Sequence, residues 1–195
     1  MKKFYAVRQG KIPGIYDTWD ECKKQVNGYK NAEFKGFDNI DEAKNYILNT
    51  TTQQVSKSDA IAYVDGSYCI NTQRFSYGAV LFYEGKELHF SDSFNDIQLS
   101  SMRNVAGEIK GAEFIMNYCI LNNIKSIDLY YDYEGIEKWC TGAWKATKPG
   151  TINYADFYNK IKNDLSVTFI KVKGHSNNKY NDLADYLAKS ALGIN

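Results

Sequence analysis

Apolar residues recur with strand and helix periods in two parts of this chain, and a polar stretch separates them. Residues 49–59, beginning Asn49-Thr50-Thr51-Thr52-Gln53-Gln54, carry no hydrophobic period and read as a flexible linker. Ahead of it, residues 4–7 form a short apolar strand and residues 14–16 a second extended piece. Thr18 followed three residues later by Glu21 has the form of a capping box and opens a helix to about Val26. Residues 34–37 read as a third strand. Asn39 with Glu42 caps a second helix whose Ala43, Tyr46 and Ile47 face inward. A module of about fifty residues builds only a marginal core, which suits an accessory binding unit over residues 1–48.

After the linker, the pattern predicts a larger domain over residues 60–195, a usual domain size. An apolar run ends at Asp65. Residues 75–83 and 87–94 flank a Glu84-Gly85-Lys86 turn and predict a hairpin. Helical periodicity runs from Asn104 to Leu121. A strand from Ile127 ends at Asp132, followed by helical material over 134–143 and 154–163, a strand over 167–172 and a last helix containing Asp185. Three meandering strands followed by alternating helix and strand predict an α/β fold: a mixed five-stranded sheet flanked by helices, preceded by the small α+β module.

Against this pattern four carboxylates stand out. Asp65 and Asp132 close apolar strands, Glu108 lies on the apolar face of its helix among Val105, Ile109 and Ala112, and Asp185 adjoins Ala184, Leu187 and Ala188. Burying one unpaired carboxylate is costly, and four together call for a cation. Taken singly, each has an ordinary account as a turn former, a helix-dipole partner or a side chain reaching solvent. Oxygen ligands without clustered Cys or His favour Mg²⁺ over zinc, with Mn²⁺ as a substitute. Two such ions can activate water against a phosphodiester. His175, in Lys173-Gly174-His175-Ser176, is placed to assist proton transfer or product departure. In the small module Tyr5, Trp19 and Phe34 accompany Arg8 and Lys35, a combination able to stack on bases and neutralise phosphates.

Charge and cysteine usage change the picture little. The formal net charge is +1. Residues 1–49 hold nine Lys/Arg against seven Asp/Glu, and the remainder fifteen against sixteen. Two bound dications would turn the face of the larger domain positive, consistent with a polyanion partner. The four cysteines, Cys22, Cys69, Cys119 and Cys140, are scattered without a C-x-x-C pair, which points to reduced thiols and the cytoplasm. No stretch reaches the length of a membrane span and no signal-peptide core follows Met1-Lys2-Lys3, so no membrane association is expected.

Tyr63-Val64-Asp65-Gly66-Ser67, Arg103-Asn104-Val105-Ala106-Gly107-Glu108, Tyr130-Tyr131-Asp132-Tyr133 and Gly174-His175-Ser176 with Asn181 and Ala184-Asp185 resemble the type 1 ribonuclease H family in order and spacing. Residues 3–48, through Phe4-Tyr5-Ala6-Val7-Arg8, Thr18-Trp19 and Phe34-Lys35-Gly36-Phe37, resemble the hybrid-binding, viroplasmin-like domain that precedes many such enzymes. The resemblance implies an endonuclease acting on the RNA strand of RNA–DNA hybrids and leaving 3′-hydroxyl and 5′-phosphate ends. Asp65, Glu108, Asp132 and Asp185 would hold two Mg²⁺ ions, and His175 would help release product. Asn104, Arg103 and Asn153 would bind hybrid backbones, Glu108 would read a ribose 2′-hydroxyl, and Tyr5, Arg8, Trp19, Phe34 and Lys35 would carry the module's contacts. It further implies a monomer, and double-stranded RNA as a further ligand of the module. Three departures accompany it: Ser101-Met102-Arg103 in place of an Arg/Thr pattern, Gly36 in place of a second Lys, and only Lys145 and Lys148 over 139–154, where relatives carry a basic protrusion. The alternatives are a hybrid- or duplex-binding protein of the same fold without cleavage, and a DNA-cleaving or transposase-like enzyme.

Overall fold

Residues 3–47, 58–173 and 178–194 are described by the computed structural model of the chain. His175 and all but the last two residues of the stretch read as linker lie outside them. Contacts divide the chain into two units, Met1–Val55 and Ser56–Asn195.

The smaller unit contains β1 (Phe4–Gln9), β2 (Gly14–Tyr16), α1 (Trp19–Val26), β3 (Glu33–Phe37) and α2 (Ile40–Ile47). Its sheet is antiparallel in the order β2-β1-β3. Thr18 caps α1 by accepting from the Glu21 N–H at 3.3 Å, while its hydroxyl donates to Glu21 Oε2 at 2.9 Å. The Asn39 side chain accepts from Asp41 N–H at the start of α2. Ala6, Val7, Cys22 and Ala43 form the core.

In the larger unit the elements are β4 (Ala60–Cys69), β5 (Arg74–Tyr83), β6 (Lys86–Phe94), α3 (Ile97–Ser100), α4 (Asn104–Leu121), β7 (Ser126–Tyr131), α5 (Gly135–Cys140), α6 (Pro149–Ile161), β8 (Ser166–Lys171) and α7 (Lys179–Ala191). The sheet runs β6-β5-β4-β7-β8, the first three strands antiparallel and the last three parallel. The mixed five-stranded sheet flanked by helices is thus the fold expected from the sequence. Positive φ at both Glu84 and Gly85 makes the β5–β6 turn type I′, whose twist matches the strands it joins. Asp59 ties β4 to β7 by accepting from the backbone N–H groups of Lys125 and Ser126, both at 3.0 Å. Ser58 donates to Asp128 at 2.7 Å, so this end of the predicted linker is fastened to the sheet.

Both sheet faces are covered. On one, Ala60, Ala62 and Val64 of β4 and Phe75, Tyr77, Ala79 and Leu81 of β5 pack with Ala106, Ile109, Ala112, Ile115 and Met116 of α4 in the main core. The opposite face lies under α7, where Tyr180 meets Tyr63 and Phe82, and Tyr63 stacks on Tyr130 at 4.5 Å. Backbone-to-backbone contact sets how closely the helices approach. A Cβ on Gly78 would fall 2.0 Å from the Ala184 carbonyl of α7, and one on Gly107 of α4 would fall 1.9 Å from the Ser76 carbonyl. Ser76 also donates its hydroxyl to Ala188 O at 2.6 Å. The next helix-end amide, Leu192 N–H, bonds Lys189 and Ser190 instead, so Ser76 satisfies a carbonyl at the end of α7.

Among the boundaries that differ from the sequence expectation, three have a clear cause in the fold. Asp65 does not end its strand: β4 continues to Cys69 because β5 still pairs with it, although its parallel pairing with β7 stops at Tyr63. Helix α5 stops at Cys140, before Gly142 with φ +77, rather than reaching Ala143. Helix α6 starts at Pro149, where a proline in the first turn loses nothing, five residues before the expected start.

Candidate active site

The acids meet where β4 outruns β7. Asp65 stands on β4 two residues past the last β4–β7 pair, and Asp132 follows the last residue of β7, so both project from one edge of the parallel half of the sheet. Glu108 comes from the second turn of α4. It reaches the strand across Gly66, where a Cβ would stand 2.8 Å from Glu108 Cγ and 2.4 Å from its amide nitrogen. Only glycine leaves that passage open. One carboxylate oxygen from each of Asp65, Glu108 and Asp132 lies within 4.8 Å of the others.

The electrostatics suit a divalent cation. Burial first, and then the Asp132 charge, push Asp65 up to about 7, although the Gly66 N–H donates to it at 2.7 Å. Burial, followed by the charges of Asp65 and Asp132, raises Glu108 well above the ordinary carboxylate range. Glu108 is only 2% exposed, and its Oε2 has no hydrogen-bond partner among the described residues. Such an orphaned buried oxygen, beside two more hard oxygens, fits a divalent cation.

Asp185 borders the same cleft but stands apart from the compact triad. Its Oδ2 accepts from Lys189 Nζ at 2.7 Å. The cleft has a volume of about 570 Å³, and Arg103, Asn104, Tyr68 and Tyr133 also line it. Arg103 precedes α4 with φ +54, a left-handed conformation costly for a side chain with a Cβ. A neighbouring hollow of about 260 Å³ shares Arg103, Asn104 and Tyr133, and adds Trp139, Thr147, Lys148 and Thr151. Asn153 lies elsewhere, on α6 beside Lys110 and Glu113 at a small cavity under Leu99 and Met102.

The sequence reading missed two features here. Tyr133, Trp139 and Trp144 form a mutual aromatic cluster with centroids 5.8–6.4 Å apart, and Lys138 lies 4.7 Å above the Trp144 ring. Two tryptophans flanking a Gly in a segment lacking apolar periodicity were the available signal. Lys189 was the other. It stands four residues after Asp185, a spacing that puts both on one helix face.

In the small unit Trp19 bridges Tyr5 and Phe34, with ring centroids 5.6 Å apart in both pairs. Trp19 and Phe34 are each 41% exposed, so these rings form an open face rather than the module's core. Lys35 lies 5.5 Å over the Phe37 ring. Arg8 is differently engaged: its guanidinium sits 4.1 Å over Tyr46, donates to the Tyr46 carbonyl at 3.0 Å and pairs with Glu33 at 3.5 Å. It therefore braces α2 against the sheet.

Comparison with known proteins gives the same assignment. The family model described as RNase H matches residues 57–193, and that described as Ribonuclease H1 N-terminal domain matches residues 3–47. A Ribonuclease H of Prosthecochloris aestuarii is 28% identical over 147 residues, 69% of this chain and 96% of that protein. The Ribonuclease H of Saccharomyces cerevisiae is 48% identical over 59 residues, covering 29% of this chain and only 17% of that protein. Among solved structures, the RNase H1 of the halophilic archaeon Halobacterium salinarum has a TM-score of 0.57 at 22% identity, over 69% of this chain and 97% of that one. LC11-RNase H1, solved in complex with an RNA/DNA hybrid, has a TM-score of 0.53 at 18% identity, over 68% of this chain and 99% of that one. The carboxylate cleft therefore sits on the fold of its relatives, and the chain belongs to the RNase H family.

Proposed function

We propose that the chain is an endonuclease that hydrolyses the RNA strand of RNA–DNA hybrids with two divalent ions, leaving 3′-hydroxyl and 5′-phosphate ends. The observation that carries this reading is the buried Glu108 carboxylate, whose Oε2 has no hydrogen-bond partner among the described residues, converging with Asp65 and Asp132. Asp65, Glu108, Asp132 and Asp185 would hold the ions, Mg²⁺ by the hardness of the donors, with Mn²⁺ able to substitute. Bound there, the ions supply an activated water and neutralise the leaving oxygen.

The remaining tasks fall to the chain's own side chains. Arg103 and Asn104, at the mouth of the cleft, bind the backbone of the hybrid, and Asn153 extends that contact along α6. Glu108 accepts from a ribose 2′-hydroxyl, the group that separates RNA from DNA. His175 moves a proton or helps product leave. Tyr133, Trp139 and Trp144 offer flat faces beside the cleft. In the small unit, the open rings of Tyr5, Trp19 and Phe34 stack on the duplex while Lys35 neutralises phosphate, and Arg8 keeps that face in shape. The module would accept double-stranded RNA as well, and the chain would act as a cytoplasmic monomer. The hybrid bound to LC11-RNase H1 supports the choice of substrate.

A comparison of RNA–DNA, RNA–RNA and DNA–DNA duplexes in Mg²⁺ tests the reading, with cleavage expected only of the RNA in the first. Asp132→Asn should lower turnover by at least about a thousandfold, the scale for losing a metal that stabilises transition-state charge, while hybrid binding survives. Substantial Mg²⁺-supported turnover by that variant would sink the assignment.

A further inference from the structure

The cleft is not uniformly negative. Lys189, one helical turn after Asp185, lines it, and its ammonium donates to Asp185 Oδ2 at 2.7 Å. The four acids accordingly form two groups. Asp65, Glu108 and Asp132 already converge, whereas Asp185 is engaged by a cation of the chain's own.

We infer that Lys189 is a built-in counter-ion that makes ion loading sequential. The first divalent ion enters the preformed triad. The second is held only when Asp185 exchanges the Lys189 ammonium for it. This inference rests on the two-ion reading of the site.

Three observations carry it. An Asp followed four residues later by Lys lies in the favourable orientation on a helix, so the pair is set up by α7 itself. The helix is held close against the sheet, since only a glycine at 78 fits beside the Ala184 carbonyl and Ser76 donates to the Ala188 carbonyl. The exchange is therefore a side-chain movement. Finally, a tethered ammonium competes for the carboxylate at high effective concentration, whereas the buried Glu108 Oε2 in the triad has no hydrogen-bond partner among the described residues. Lys189 acts through Asp185 and is a positioning residue. Once displaced, its charge is free to face a substrate phosphate, which couples occupancy by the second ion to the presence of nucleic acid.

Mn²⁺ titration of the full chain by calorimetry, at low salt and without nucleic acid, tests this directly. The wild type should bind one ion, and a second at least about tenfold more weakly. Lys189→Met, which keeps the stem and removes the charge, should tighten the second ion by about tenfold and leave the first within about threefold. Lys189→Arg should keep the wild-type gap. Lys189→Gln takes the place of the Met variant if thermal unfolding shows that the latter does not fold. Equal wild-type affinities for both ions, or a second-ion affinity unmoved by losing the charge, overturns the inference. An equal gain at both ions does so too, because it reports bulk charge alone. If Asp132→Asn leaves the first ion's affinity intact, the two-ion reading itself falls and takes the inference with it. If that variant loses the first ion while Lys189→Met changes nothing, only the role of Lys189 falls.

Discussion

Burial keeps Glu108 and Asp65 protonated to higher pH than ordinary carboxylates. Asp65 titrates near 7 in the folded chain, against an ordinary value of 3.8. Between those values the native state binds more protons than the unfolded chain, so rising pH removes stability across that window. Asp59 and Glu134, shifted the other way, titrate mostly below pH 5 and so hardly mask the change from pH 5 upward, while the Cys69 thiol, lowered from its ordinary value, works against it only toward the alkaline end. The metal-free chain should therefore melt at a lower temperature at pH 8 than at pH 5, and Mg²⁺ should raise the Tm far more at pH 8. A Tm that climbs with pH without metal would contradict the burial argument. Glu108→Gln removes the charge without removing volume. It should stabilise the metal-free chain by about 1–2 kcal/mol, read as a rise of roughly 3–8 °C in Tm, and it should abolish the Mg²⁺-dependent part. Differential scanning calorimetry with and without EDTA measures both.

At the level of elements, the cleft depends on close approach between backbones. Gly78→Ala would drive a methyl group into the Ala184 carbonyl, and Gly66→Ala would block the path of Glu108. Each should cost about 2–4 kcal/mol in urea denaturation, at or above the usual range for overpacking because backbone cannot yield. They should differ in chemistry. Gly66→Ala should weaken the first Mn²⁺ ion through Glu108, while Gly78→Ala should weaken the second through Asp185. The same elements show how far the sequence alone could be read. Period and capping residues sufficed for the hairpin, for α4 and for Thr18 and Asn39 as helix caps, since each rests on neighbours in the chain. The acids were legible as a group because four carboxylates among apolar residues break the local pattern. What escaped depended on distant partners. Asp65 looked terminal because the continuation of β4 through Gly66-Ser67-Tyr68-Cys69 is dictated by β5, not by its own composition. Lys189 reads as an ordinary solvated helix residue until α7 is laid on the sheet. Arg8 reads as a phosphate ligand, and only the fold adds that its guanidinium also rests against Tyr46 and Glu33.

For the whole molecule, the proposed tasks fall on separate units. The open rings and Lys35 stand in one, and the acids in the other. Removing residues 1–55 should leave a folded unit that cleaves at saturating hybrid with kcat within about threefold. Its hybrid affinity at moderate salt should fall by at least about tenfold, since linked sites gain by effective concentration. Fluorescence anisotropy over a salt series measures this, and an unchanged Kd would show that the small unit does not engage the hybrid. The contacts at Gly66, Gly78 and Gly107 carry a consequence for anyone moving this cleft to another scaffold. The spacing of the acids is copied from main-chain thickness, a dimension that no exchange of core side chains can resize. Repacking Ile115 or Met116 would change how long the gauge survives heating, not what it measures. A transplant of the four acids alone would thus be the right letters set at the wrong pitch, and the three glycines have to travel with them.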